Sequence, residues 1–258
     1  MNIFWKRTLA ITTITAAAAL GLTACGDDAT PKAPTSSEQS TETDSAASTR
    51  LTAENFAERI GAAQLAAGSV HNEVTMTVNG QSTTMSGDVQ LSDDPSALKM
   101  SMSMSAPSEM EIVLVDSMLY MNMGELTQNK FIATDLNSPE AGQYASMISQ
   151  SNPQKQMELF AEALTDFKVS DETVEIDGVK TNEYTLTLDT AALLSGQGVP
   201  TEGVELPETM TYVMNVGADD LPRRFVMDMQ GTTAESNFTK WGESVTIEAP
   251  SADQIIEM

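Results

Sequence analysis

The feature that most constrains the fold of this chain is a regular alternation of apolar and polar residues in many short segments. Met100, Met102 and Met104, for example, alternate with polar Ser101 and Ser103. A period of two is typical of a β-strand with one buried face, because successive side chains of a strand point to opposite sides. Alternation of this kind recurs in about ten segments after the first helix. The sequence therefore predicts about ten strands.

Turn signals between these segments predict that the strands pair with their sequence neighbours. Asn79-Gly80 and Asp177-Gly178 each separate two alternating segments. Both central residues of a type I′ hairpin turn need positive φ, which Asn, Asp and Gly tolerate. An antiparallel meander follows from these signals.

A helix is predicted before the first strand. Thr52 can cap its first turn, Phe56 and Ile60 share one apolar face, and Gly68 is a natural stop. We interpret this element as a helix packed on the sheet; a lid or partner helix is the alternative.

The rest of the chain predicts further helices and a return to strands. Residues 139–166 have a helical pattern with Pro153 near a start, and residues 189–207 are expected to be irregular. Residues 235–247 are expected to form the last strand, and Pro250 to open a short helix. The predicted fold class is α+β, with one large, strongly curved antiparallel sheet of about ten strands and helices on its concave side.

The start of the chain predicts export and lipid attachment. Leu22 to Cys25 read Leu-Thr-Ala-Cys, which fits a bacterial lipobox, and Lys6 and Arg7 precede an apolar stretch. Residues 1–24 are therefore expected to be a signal peptide that is cleaved before a lipidated, for instance palmitoylated, Cys25. An ordinary signal peptide with a chance cysteine is the alternative.

Composition divides the remaining chain into a tether and one domain. Residues 26–49 contain no apolar residue larger than alanine, so residues 25–49 are expected to be a lipidated cysteine with a disordered tether. Residues 50–258 are long enough for a single domain with one core. Cys25 is the only cysteine, so this domain must fold without disulfides.

The charge of the chain argues against nucleic acid and against electrostatic binding to lipid. The formal net charge is −24, and removal of the signal peptide with its two basic residues makes it −26. Such a surface repels phosphate backbones and gains nothing from anionic headgroups. Membrane attachment is therefore expected to depend on the acyl chains at Cys25, at the outer face of the plasma membrane.

Motifs for catalysis are absent from the sequence. His71 is the only histidine, and no nucleophile-elbow motif accompanies it. We interpret it as a strand residue at the sheet margin. The acidic pairs Asp93-Asp94 and Asp219-Asp220 stand where turns are expected. The prediction is a protein that is not an enzyme and has no cofactor.

Methionine is unusually frequent: there are 17, of which nine lie from Met76 to Met123. Three interpretations stay open. The methionines can form an ordinary core, or a core that also lines an adaptable apolar pocket, because thioether chains are unbranched and polarizable. They can also bind Cu(I), which soft thioethers select.

Several segments together resemble the actinobacterial LppX/LprA/LprF/LprG lipoproteins, which are similar in fold to the lipoprotein carrier LolA. Besides the lipobox, they are residues 175–179 (EIDGV), 212–216 (YVMNV), 221–225 (LPRRF) and 241–250 (WGESVTIEAP). The resemblance implies an unclosed β-barrel with helices across its mouth. It also implies a cavity for the acyl chains of glycolipids or lipoglycans that move through the cell envelope.

The leading hypothesis is therefore a membrane-anchored lipoprotein that carries an envelope lipid, with a membrane transporter as a further possible partner. A ligand-free interaction or sensor module of the envelope, or a Cu(I)-binding lipoprotein, is the alternative. The residues expected to line the acyl site belong to the apolar faces of the strands: Met100, Met102, Met104, Ile112, Leu114, Met121, Met123, Tyr184, Tyr212, Met214 and Phe225.

Overall fold

A computed structural model describes residues 50–105, 109–138, 141, 152–199, 206–229 and 231–256. The predicted signal peptide and tether, and the first part of the predicted helical stretch, lie outside these residues. Three helices are described: α1 (Phe56–Ala67), α2 (Pro153–Glu162) and α3 (Thr190–Gly196). The strands are β1 (Ser69–Val78), β2 (Gln81–Gln90), β3 (Lys99–Met104), β4 (Met110–Val115), β5 (Met118–Asn122), β6 (Phe131–Asp135), β7 (Leu164–Ile176), β8 (Val179–Asp189), β9 (Thr209–Gly217), β10 (Pro222–Met229) and β11 (Thr232–Thr239).

All of these strands belong to one antiparallel sheet in the order β6-β5-β4-β3-β2-β1-β11-β10-β9-β8-β7. The sheet is curved but not closed, because β6 and β7 stand at its two ends. The predicted α+β class with one large curved antiparallel sheet is confirmed. The sheet has eleven strands rather than about ten, since β6 was not predicted.

The hairpin turns form where the dipeptides predicted them. Asn79 and Gly80 have φ of 51° and 80°, and Asp177 and Gly178 have 49° and 78°. These positive values are what type I′ turns require. The turns fix the register of the two hairpins, and with it the face to which each side chain points.

The helices pack on one face of the sheet, which we call the helix face. Phe56 and Ile60 of α1 and Met157 of α2 are fully buried there against β8 and β9. Helix α2 begins with Pro153, and the Asn152 side chain caps it by accepting a hydrogen bond from the Lys155 amide at 3.1 Å. The core of the domain therefore lies between α1, α2 and this half of the sheet.

Three predicted elements were wrong in detail. Helix α1 begins at Phe56 rather than Thr52, whose amide instead donates to the Asn55 side chain. The stretch predicted to be irregular contains α3, because Asp189 caps it and Leu193 is buried in the core. Strand β11 ends at Thr239, since the backbone then turns through positive φ at Lys240.

The opposite face carries a smaller core at the other half of the sheet. Val115, Tyr120 and Phe131 are buried there, and Ile255 packs against them. The chain end reaches this edge through the Ile256 amide, which donates to the Phe131 carbonyl at 2.9 Å. This contact covers part of the free edge of β6.

A two-point ion pair ties α1 to the turn between β9 and β10. Arg59 Nε and Nη2 donate to the two carboxylate oxygens of Asp220 at 2.9 and 2.6 Å, and both side chains are about three-quarters buried. We expect Asp220→Asn to lower the free energy of unfolding by about 1.5–3 kcal/mol, because a charged hydrogen-bond acceptor is lost. Asparagine suits the positive φ of 61° at this position, so backbone strain does not add to the effect.

Urea unfolding measures this loss, and the chain offers a matched control. Asp171 pairs with Arg50 at 3.5 Å, but its side chain is fully exposed. Asp171→Asn should therefore change the stability by less than about 0.5 kcal/mol. Equal effects of the two substitutions would contradict a structural role for the Arg59–Asp220 pair.

Candidate ligand-binding face

The strand register places ten of the eleven predicted site residues on the helix face. Met102 pairs with Ile112, which pairs in turn with Met121. Tyr184 pairs with Met214, and Met214 with Phe225. Directly paired residues of antiparallel strands project to the same side. The register places these residues on the helix face: Met100, Met102, Met104, Ile112, Leu114, Met121, Tyr184, Tyr212, Met214 and Phe225.

Met123 is the exception. Strand β5 ends at Asn122, and Met123 precedes a 3-10 helix over Gly124–Thr127. Its predicted place in the strand alternation is therefore wrong, because the chain leaves the sheet one residue earlier.

Tyr184 and Met214 are sealed beneath the helices. Both are almost completely buried in the main core, and the Tyr184 hydroxyl accepts a hydrogen bond from the Leu51 amide at 3.2 Å. In this structure they support the helix layer rather than line open space.

Two of the predicted residues of β3 and β4, Met100 and Leu114, belong to a second, smaller cluster. Leu98 and Leu114 are buried there, with Val89, Met100 and Leu136 packed against them. Met102 is only 7 % exposed. The methionine-rich strands therefore build a core at the far half of the helix face.

A cleft of about 200 Å³ opens on the helix face beside the main core, over β9, β10 and β11. Phe160 of α2 and Tyr212 of β9 form one wall, with their ring centroids 4.9 Å apart. The other lining residues come from the helices and from β10 and β11: Gln156, Gln197, Phe225, Met227, Ala234 and Ser236.

The lining of this cleft suits an apolar ligand with few polar contacts. Among the described residues that line it, Tyr212 is the one titratable group, and burial raises the pKa of its hydroxyl above the ordinary value. Ligand pockets typically hold about 300–1,000 Å³. At about 200 Å³, this cleft is smaller than that range.

Sequence reasoning identified Tyr212 and Phe225 in this cleft but missed Phe160 and Met227. Met227 follows Phe225 at the strand period and was recognisable as part of the same apolar face. Phe160 was recognisable as an apolar helix residue, but its place opposite β9 depends on how α2 packs.

A second cleft, of about 480 Å³, lies on the opposite face. Four carboxylates line it, those of Glu73, Glu175, Asp177 and Glu235. Arg224 also lines it, and its Nε donates to the Asn215 side chain at 3.2 Å. Such a lining suits cationic or hydroxyl-rich groups and excludes an acyl chain.

His71 borders this second cleft, and its predicted place at the sheet margin is wrong. It lies in β1, a central strand, with Nδ1 2.6 Å from Asp88 Oδ1 and Nε2 3.1 Å from Ser86 Oγ. This order of groups is that of a Ser-His-Asp triad. Ser86, however, lies inside β2, which pairs with strands on both sides. The backbone amides beside it are therefore committed to the sheet rather than to an oxyanion hole.

Comparison with protein families shows which family this chain belongs to. Residues 62–192 match the family described as "Family of unknown function (DUF6612)". The chain belongs to the DUF6612 family. The matched region runs from α1 through β8 to the start of α3, and so contains the methionine-rich strands.

Solved structures show what the fold of this DUF6612 protein is similar to. LprF from Mycobacterium bovis matches with a TM-score of 0.53 at 16 % identity, over 78 % of this chain and 97 % of LprF. The Mycobacterium tuberculosis lipoprotein LppX matches with a TM-score of 0.51 at 15 % identity, over 76 % of this chain and 100 % of LppX. The expected resemblance to the LppX and LprF lipoproteins is confirmed for the fold.

Two further observations concern the described part of the DUF6612 protein. None of its helices there is long and apolar enough to cross a membrane. No group of three or more His, Cys, Asp or Glu side chains within those residues is placed to hold a metal ion. A search of curated proteins finds no match to the sequence.

Proposed function

We propose that this DUF6612 protein is a lipid-anchored carrier that holds the acyl chains of an envelope glycolipid or lipoglycan, without enzymatic chemistry. The observation that carries the proposal is the apolar cleft on the helix face, which opens beside the main core between α2 and strands β9 to β11. The lipobox and the likeness in fold to two lipoproteins support it.

The energetics favour exchange of lipid rather than one-way capture. Each buried methylene contributes about 0.8 kcal/mol relative to water, but a bilayer offers the same gain. Burial of an acyl chain in the cleft therefore needs only to be as favourable as its burial in the bilayer. Unbranched thioether side chains can adapt to acyl chains of different shape. Directional movement requires an outside partner such as a membrane transporter.

Native mass spectrometry of the full-length protein, purified from an envelope-containing host, tests this function directly. We expect about one non-covalent lipid per protein, which solvent extraction then identifies. A protein that stays free of lipid after incubation with envelope lipids would overturn the carrier function.

One observation favours the alternative of an interaction module. The four carboxylates of the opposite-face cleft offer a site for a cationic partner. Capture of a partner through these charges should weaken as salt increases, whereas acyl binding should not.

The membrane anchor gives a separate prediction. We expect Cys25→Ser to abolish labelling of the protein by radioactive palmitate, because the thiol is the acceptor of the acyl chains, and to leave the signal peptide uncut, because cleavage follows lipidation. Palmitate labelling that persists in this variant would show an acyl attachment independent of Cys25. Ser36→Ala, in the same predicted tether, is a control that should be labelled and processed like the wild-type protein.

A further inference from the structure

Large apolar side chains that are exposed to solvent cluster at one end of the described sheet. Leu126 is 86 % exposed, Met76 48 %, Val199 45 % and Val78 41 %. Val174, at 36 %, lies at the other end. We call the end that carries the first four residues the rim.

The topology explains why these residues share an end. Strands β1, β5 and β8 run in the same direction, because neighbours in the sheet are antiparallel. Met76 and Val78 close β1, Leu126 follows β5, and Val199 follows β8 and α3. Val174 lies beside the turn between β7 and β8, where those strands reverse at the opposite end.

The turn that carries Leu126 is rigidly built. Thr127 is 3 % exposed, and its hydroxyl accepts from the Met123 amide at 3.0 Å and donates to the Asn122 side chain at 3.1 Å. Gln128 and Asn129 then adopt positive φ of 55° and 56°. These contacts hold Leu126 in solvent, although a leucine gains by burial.

We propose that the rim contacts the bilayer in which the protein is anchored, with Leu126, Val78, Met76 and Val199 reaching the boundary between headgroups and acyl chains. This inference rests on the proposed carrier function. Exposed large apolar side chains at one end of a fold mark a contact surface, and the bilayer is the occupant that the predicted anchor supplies.

The length of the predicted tether is compatible with this orientation. If residues 26–49 are flexible, as their composition predicts, about 24 such residues would have an r.m.s. reach of roughly 25–30 Å. It joins the domain at Leu51, whose amide bonds to Tyr184 in β8. The end of β8 at Asp189 is five residues further, about 17 Å at the rise of a strand. An anchored domain can therefore set its rim on the membrane.

The rim also adjoins the acyl cleft. Gln197 lines the cleft, and Val199 of the rim follows it by two residues. An acyl chain that enters beside α3 can pass from the bilayer to the cleft without crossing water.

Depth-dependent quenching tests the contact. The full-length lipidated protein, with Leu126→Cys labelled by a polarity-sensitive fluorophore, is placed in phosphatidylcholine vesicles that contain nitroxide-labelled lipid. Because Cys25 is acylated, the label reports one site, which mass spectrometry verifies. We expect quenching at position 126 to be at least twice that of the matched Val174→Cys protein. Equal quenching at the two positions would overturn the proposal.

A second variant tests whether the contact serves lipid movement. Leu126→Gln should slow lipid transfer between vesicle populations at least fivefold, whereas Val174→Gln should leave the rate unchanged. The lipid content of both variants should stay at the wild-type level. Wild-type transfer by Leu126→Gln would overturn the role of the rim. A wild-type protein that carries no lipid would overturn the carrier function instead. The quenching result would still show whether the rim contacts the bilayer.

Discussion

Met227→Glu is expected to abolish the lipid binding that we propose for this protein, while the fold survives. Met227 lines the helix-face cleft and is partly exposed, so its carboxylate variant keeps access to water when the cleft is empty. An acyl chain that enters the cleft would strip that water from the charge without offering a hydrogen bond. We expect binding to weaken by about 100-fold or more, which corresponds to about 2.7 kcal/mol.

The measurement is lipid content by native mass spectrometry, with folding checked by circular dichroism. Met227→Leu should retain the lipid, because it keeps an apolar side chain of similar volume. Thr185→Glu places the same charge on the opposite face, across from Lys168, and should also retain it. A folded Met227→Glu protein with its full complement of lipid would show that the acyl site lies elsewhere.

Gly87→Val is expected to give the largest loss of stability. A Cβ atom at position 87 would lie 1.9 Å from the Ser101 carbonyl oxygen and 2.7 Å from the Met102 Cα atom. Both are backbone atoms of β3, so no side chain can rotate away to relieve the clash. The strand that carries Met100, Met102 and Met104 would have to separate from β2. We expect the free energy of unfolding to fall by about 3 kcal/mol or more.

Chemical unfolding followed by circular dichroism measures this loss. Thr83→Val introduces the same side chain on the same face of β2, in place of a residue of nearly equal size. It should change the stability by no more than about 0.5 kcal/mol. A Gly87→Val protein as stable as Thr83→Val would show that β3 can shift without cost.

The parts of the fold that local patterns determine were predictable. The period of two placed Met100, Met102 and Met104 on one face, and Asn79-Gly80 placed a hairpin turn. Both signals arise within a few residues and need no knowledge of distant partners.

Elements that depend on distant partners were not predictable. Strand β6 is short, and Phe131 within it is buried by Ile255 from the end of the chain. The contact of His71 with Asp88 and Ser86 requires the register between β1 and β2.

The candidate site shows the same division. Its apolar face followed from alternation, but the cleft beside the main core depends on where α2 stops covering the sheet. For that reason Tyr184 and Met214 are sealed, whereas Tyr212 and Phe225 line open space.

The pairing of β1 with β11 has a consequence for how the molecule assembles. Each half of the sheet is a series of hairpins between sequence neighbours, which form quickly, whereas β1 and β11 must find each other after a long loop has closed. Ala234 of β11, which lines the acyl cleft, pairs with Met76 across this late junction. If the cleft binds lipid as we propose, a ligand there would contact β11 beside its junction with β1. By mass action such a ligand would stabilise the closed junction, so lipid binding would also favour the completed fold.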